Sequence, residues 1–186
     1  MSRVLWVRHA ETEMAGRFCG QSDPDLNVQG QEQLIGLAQV LSAETIDEVY
    51  SSDLRRAQST AQAIASTRNV PLSLRPALRE IHFGEWEGLS WGQIEEMDPE
   101  YARKWADGYP HVTAPAGESF QAFEARVLEE VSHLIDRNLG SIAVVTHAGV
   151  LRIVLRNLHG CSERETWQQT QPYCCVVRYE GKGENK

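Results

Sequence analysis

The sequence predicts a three-layer α/β/α sandwich on a mostly parallel central sheet. It forms one domain over residues 1–180, with a tail at 181–186. Three observations carry this reading. Arg3-Val4-Leu5-Trp6-Val7 and Ser141-Ile142-Ala143-Val144-Val145 are short apolar runs rich in β-branched residues, as strands covered on both faces are. Segments of helical period alternate with further short runs, the pattern of strand–helix–strand units. The chain has 186 residues and 41% hydrophobic content, enough for one well-buried α/β domain and short for two.

The elements follow in order. After the first strand, a loop over 14–26 carries Gly16, Gly20, Asp23 and Pro24. Asn27 can cap a helix whose Leu34, Leu37, Ala38 and Leu41 recur at helical spacing. Glu48-Val49-Tyr50-Ser51 reads as a second strand, Ser52 as a cap, and Ala57, Ala61, Ile64 and Ala65 as the inner face of a second helix. Val70 to Leu74 reads as a third strand. Residues 83–117 are aromatic, punctuated by Gly and Pro, and form a lid or insert. From Ser119 an amphipathic helix buries Phe120, Phe123, Val127, Val131, Leu134 and Ile135. The strand at 141–145 follows, then a helix through Leu151, Val154, Leu155 and Leu158. A last strand is read over Tyr173 to Tyr179, and the tail is expected to fray.

Composition narrows the function. The net charge is −8, which speaks against binding nucleic acid through a general basic surface. Any phosphate would need a local positive cluster. No apolar stretch approaches the roughly 20 residues that span a bilayer, and the apolar run after Met1-Ser2-Arg3 is too short for a signal segment. A cytoplasmic monomer or homodimer without membrane or nucleic-acid partners is expected. Cys19, Cys161, Cys174 and Cys175 show no zinc-ligand spacing. Cys174 and Cys175 read as buried residues facing opposite sides of the last strand. Cys19 sits in the Gly-rich loop after His9 and is a candidate wall of the site.

The first and fourth strands each run into a histidine, at Arg8-His9 and Thr146-His147. Ligands of open α/β sheets bind at strand ends. A single histidine there is commonly a cap, but two, one following an arginine, indicate a shared site. Neutral imidazole has a lone pair near pH 7 and needs no metal to act as a nucleophile. Arg55 and Arg56 fall in the first turn of the second helix, where the helix dipole disfavours cations unless an anion arrives. Arginine forks match phosphate oxygens. A leaving alkoxide needs a proton, which a carboxyl group can supply; Glu11, Glu80, Glu85 and Glu87 are all placed to be considered. No Gly-x-x-x-x-Gly-Lys loop and no carboxylate cluster of metal spacing occurs, so neither metal nor cofactor is expected. His111, His133 and His159 read as structural.

Five ordered motifs carry a resemblance. Arg8-His9-Ala10-Glu11-Thr12, Ser52-Asp53-Leu54-Arg55-Arg56-Ala57-Gln58-Ser59-Thr60, Leu78-Arg79-Glu80-Ile81-His82-Phe83-Gly84-Glu85-Trp86-Glu87-Gly88, Gly117-Glu118-Ser119 and Thr146-His147-Ala148-Gly149 resemble the histidine phosphatase superfamily, the phosphoglycerate-mutase-like enzymes, over residues 3–160. Ala10 and Ala148 stand where the family usually has glycine; alanine suits common backbone geometry, so activity is expected to survive. The resemblance implies His9 as the nucleophile that becomes a phosphohistidine. Arg8, Arg56 and His147 would hold the phosphate oxygens, and Glu80 would be the acid, then the base. It also selects Arg56, which directly precedes the alanine, over Arg55. Thr12, Cys19, Gly20, Gln21, His82 and Ala148 would line the substrate site.

Within the family, cofactor-dependent phosphoglycerate mutases are longer and differ after the second histidine, so transfer to water is expected here. Gly16 to Leu26 resembles the corresponding loop of α-ribazole phosphatases, which implies a small phosphorylated metabolite such as α-ribazole 5′-phosphate. Mutase action, a protein-phosphohistidine substrate, or a non-catalytic phosphate-binding role are the alternatives. Trp105 or Tyr109 of the lid would face the substrate; otherwise the lid aromatics pack two short helices onto the sheet.

Overall fold

The computed structural model describes residues 3–136 and 140–181, so the expected tail beyond 181 lies outside the described residues. Five strands form one sheet: β1 (Arg3–Arg8), β2 (Glu48–Ser51), β3 (Leu72–Leu74), β4 (Ser141–Thr146) and β5 (Val176–Glu180), in the order β3-β2-β4-β1-β5. β1 and β4 lie side by side and parallel, with Arg8 opposite Thr146. β2 is parallel to β3 and β4, whereas β5 closes the edge antiparallel to β1.

Both faces of the central strands are covered. Val4, Trp6, Ile142 and Val144 face a core shared with α5 (Phe120–Asp136) and α6 (Ala148–His159). Leu5, Val7, Ala143 and Val145 face the core of α1 (Val28–Val40) and α2 (Arg55–Arg68). This alternation is the strand period of two acting on continuously apolar runs. Asn27 caps α1 as expected, accepting from Gly30 N at 2.7 Å.

Four elements differ from the sequence reading. The third strand starts at Leu72 rather than Val70, because Asn69 adopts a left-handed φ of 54° and Val70 N still bonds to Ala65 O. The last strand starts at Val176 rather than Tyr173: Cys174 has φ 56°. Cys174 and Cys175 nevertheless pack against opposite cores. Ser52 does not cap α2, whose Arg55 N donates instead to Asp23 Oδ1 at 2.6 Å. A further helix, α7 (Glu163–Thr170), was not foreseen.

The lid forms α3 (Trp91–Met97) and α4 (Pro99–Gly108). These helices do not lie on the sheet. They enclose a small core of their own, with Trp86, Ile94, Ala102 and Ala114 buried and Phe18, Trp91, Tyr101 and Trp105 packed around them.

Candidate active site

The register of β1 and β4 brings the two histidines together, because each follows its strand at the same level. His9 N donates to Thr146 O at 2.9 Å, and the imidazole centroids are 5.1 Å apart. His9 Nδ1 donates to Ala10 O at 2.7 Å. That fixes the tautomer and leaves Nε2 unprotonated, accepting from Arg56 Nε at 3.3 Å. His147 Nε2 pairs with Ser52 Oγ at 2.9 Å. Ser52 Oγ accepts from Leu54 N and can also give its own hydrogen to Nε2; in that tautomer Nδ1 is the protonated, donating nitrogen. His147 Nδ1 is buried and has no hydrogen-bond partner among the described residues. Ser52, read from sequence as a cap, is thus a positioning group of the site.

Two arginines complete the constellation. Arg56, fully buried, gives its terminal nitrogens to Ser22 O (2.6 Å), Gly20 O (2.6 Å) and Cys19 O (3.3 Å). Arg55 points away and pairs with Asp25 at 2.6 Å on the surface. Arg8 donates to the carbonyls of Thr170 (2.8 Å) and Gln171 and lies over the Tyr173 ring, 4.0 Å from its centroid. Its Nε is a second buried donor without a partner among the described residues. Buried donors left unpaired in a folded protein require an explanation, and both of these belong to residues flanking His9.

The four candidate carboxylates separate cleanly. Glu80 is buried and accepts from Ile81 N (3.0 Å) and Gly149 N (2.9 Å). Gly149 is required there, since a Cβ at this position would collide with Glu80 Oε1. Glu87 instead organises a loop, accepting from the amides of Gly20, Gln21, Ser22 and Phe83 at 2.9–3.1 Å and from Ser22 Oγ at 2.6 Å. These bonds hold the Glu87 carboxyl below the ordinary range against the opposing effect of burial. Glu11 accepts from Asn27 Nδ2, and Glu85 is exposed.

A cleft of about 270 Å³ opens over this floor, lined by Arg8, His9, Thr12, Cys19, Glu80 and Ala148 among others. Burial raises the Cys19 thiol pKa, so this side chain is a neutral wall. Gly20 and Gln21 do not reach the cleft: Gly20 O accepts from Arg56, and Gln21 Nε2 lies 3.4 Å from Glu80 O. His82 lines a neighbouring chamber. Arg152, Tyr173 and Trp91 line the cleft without having been singled out for it. Arg152 stands one helical turn after Ala148 on α6, and that spacing is the sequence signal that could have found it. Burial first, and Arg56 second, lower the pKa of both His9 and His147 well below the usual value.

The sequence profile of the histidine phosphatase superfamily (branch 1) matches residues 4–186. The chain belongs to that superfamily. A histidine phosphatase relative, the adenosylcobalamin/alpha-ribazole phosphatase of Escherichia coli (strain K12), is 34% identical over 88% of this chain and 82% of its own. Phosphoserine phosphatase 1 of Hydrogenobacter thermophilus is also 34% identical, over 90% and 81%. The crystal structure of a putative alpha-ribazole-5′-P phosphatase from Escherichia coli superposes with a TM-score of 0.86 at 31% identity, covering 95% of this chain and 89% of that one. This histidine phosphatase is therefore a phosphatase, a hydrolase of the phosphoglycerate-mutase-like fold.

Proposed function

We propose that the protein is a metal-independent phosphomonoesterase that works through a phosphohistidine on His9, with α-ribazole 5′-phosphate as its substrate. The observation that carries the chemistry is the unprotonated Nε2 of His9, which accepts from Arg56 Nε, in the company of the unpartnered buried nitrogens Arg8 Nε and His147 Nδ1. Phosphoryl transfer rests mainly on positioning and charge stabilisation, and fixed guanidinium groups supply both.

In the first step, Nε2 attacks phosphorus and the bond to the leaving oxygen breaks. Arg8, Arg56 and His147 hold the three remaining oxygens, and the Glu80 carboxyl group gives its proton to the leaving oxygen. In the second step, the Glu80 carboxylate takes a proton from water, whose oxygen attacks phosphorus. The N–P bond breaks and phosphate is released, restoring neutral His9 and protonated Glu80. Ile81 N and Gly149 N keep the carboxyl in place throughout.

The substrate assignment is supported by the loop at residues 16–26 and by the relatives named as alpha-ribazole phosphatases. A cytoplasmic setting belongs to the same reading and is supported by four unpaired cysteines. Phosphoserine is the competing substrate, favoured by the relative of that name. The test is phosphate release in EDTA from α-ribazole 5′-phosphate, phosphoserine, 3-phosphoglycerate and an aryl phosphate, beside His9→Ala. Turnover highest on α-ribazole 5′-phosphate and lost in the variant supports the assignment; a ranking led by phosphoserine refutes it.

A further inference from the structure

The Gly117-Glu118-Ser119 motif supplies no group to the chemistry proposed above, yet it lies against the segment that carries Glu80. Residues 79–83 are neither helix nor strand, so their backbone groups need partners that a regular element would otherwise give them. Arg126 on α5 supplies several. Its guanidinium donates to the carbonyls of Ala77 (2.9 Å), Arg79 (2.8 Å) and Glu80 (3.0 Å). The two remaining N–H groups go to Glu118, at 2.7 Å to Oε1 and 2.8 Å to Oε2. All five donors of the fork are thereby used.

Glu118 is fixed in turn to the far end of the same segment. Its N donates to His82 O at 2.8 Å, and its Oε2 accepts from His82 N at 3.3 Å. Gly117 permits this approach, because a Cβ there would stand 2.8 Å from His82 O. The clamp hangs from a well-anchored helix: Phe123, Val127, Val131 and Leu134 of α5 are buried in the core, and the Phe123 ring centroid lies 4.9 Å from the Arg126 guanidinium carbon. Of the two amides that hold the Glu80 carboxyl, Ile81 N belongs to the clamped segment and Gly149 N to α6. Arg126 itself does not line the cleft.

We propose that Arg126, steadied by Glu118, is a positioning residue for Glu80. It acts through the main chain: by tying the carbonyls around Glu80 to α5, it sets where the carboxyl meets the leaving oxygen. A lysine, with three donors on a point charge and no planar fork, could not span these acceptors. Proton transfer needs the two heavy atoms within hydrogen-bond reach, and a displacement of about 1 Å can cost roughly 10²-fold. The inference rests on the reading of Glu80 as the acid and adds what holds it in place.

The test compares esters whose leaving groups differ in their need for a proton. α-Ribazole 5′-phosphate and phosphoserine release an alkoxide and need one; 4-nitrophenyl phosphate releases a stable phenolate and does not. Because kcat/KM covers steps only up to departure of the leaving group, the later work of Glu80 as a base does not enter. Arg126→Met and Glu118→Gln are assayed beside Glu80→Gln on the faster of the two alkyl esters and on the aryl ester, with thermal melting as a check on folding. Arg126→Met is expected to lower kcat/KM by about tenfold or more on the alkyl ester and by less than about threefold on the aryl ester, the selectivity of Glu80→Gln in weaker form. If Arg126→Met does not fold, Glu118→Gln decides on the same criterion. Where Glu80→Gln is selective, equal losses on both esters, or unchanged kinetics, overturn the positioning role and leave the acid reading intact. If Glu80→Gln shows no selectivity, or the wild type hydrolyses none of the esters, that reading fails and the positioning role with it.

Discussion

Glu80 and Glu87 lie seven residues apart in one motif, yet their surroundings give them different work. Five hydrogen bonds consume Glu87 in holding the loop that cradles Arg56. Glu80 takes two backbone amides and faces the cleft. Gly149→Ala would drive a methyl group into that carboxylate, so it should lower kcat about as much as Glu80→Gln, by roughly 10²–10⁴-fold. Steady-state kinetics of the two variants side by side check this. The buried histidines also set a pH dependence. Their pKa values lie below the usual 6.5 in the folded protein, so below pH 6.5 the unfolded chain binds more protons. Stability is therefore full above about pH 6.5 and falls as the pH drops below it, ahead of the carboxylates. Urea melts from pH 7.5 to 5 should show this decline, and His147→Asn should flatten it. From sequence, chemistry at His9 and His147 was legible because both end apolar runs. The choice among the glutamates was not, because amide contacts arise only on folding.

At the scale of elements, α7 is the informative miss. Its signal was present: Ser162 and Glu165 form a reciprocal cap, with Ser162 N donating to Glu165 at 2.7 Å. The helix is short and polar, so its hydrophobic period gave no warning. It supports both arginines at the edge of the cleft, through the Thr170 carbonyl to Arg8 and through Trp167 and the Thr170 hydroxyl to Arg152. Trp167 is 39% exposed, so its removal should cost little in folding. Trp167→Ala is expected to lower kcat/KM by about 1–2 kcal/mol, roughly 5–30-fold, mostly through KM, while Trp167→Phe restores most of it. Equal losses in both variants, or a large drop in Tm, would mean the residue is simply structural. The lid was legible as an aromatic insert, but its separate core was not. Packing an aromatic against Phe18 or against the sheet requires the same kind of residue.

For the whole molecule, the sheet order and register decide where chemistry can occur. Pairing β1 with β4 in parallel turns two histidines 138 positions apart into neighbours. The alternation of strands and helices made the layers readable, and the β-branched runs made the central strands readable. The edges were harder: β3 and β5 start two and three residues later than read, where backbone conformations at Asn69 and Cys174 delay pairing. The core under the site should tolerate little loss. Trp6 is fully buried between β1 and the α5–α6 layer, and Trp6→Ala should cost about 3–5 kcal/mol, read as a lower urea midpoint. The central claim is the covalent step on His9. The direct measurement is to quench turnover in alkaline denaturant and map phosphate on the peptides by mass spectrometry. Phosphohistidine at His9, absent in His9→Ala, is the predicted result. Full turnover with no phosphoenzyme, or phosphate on another residue, would contradict it.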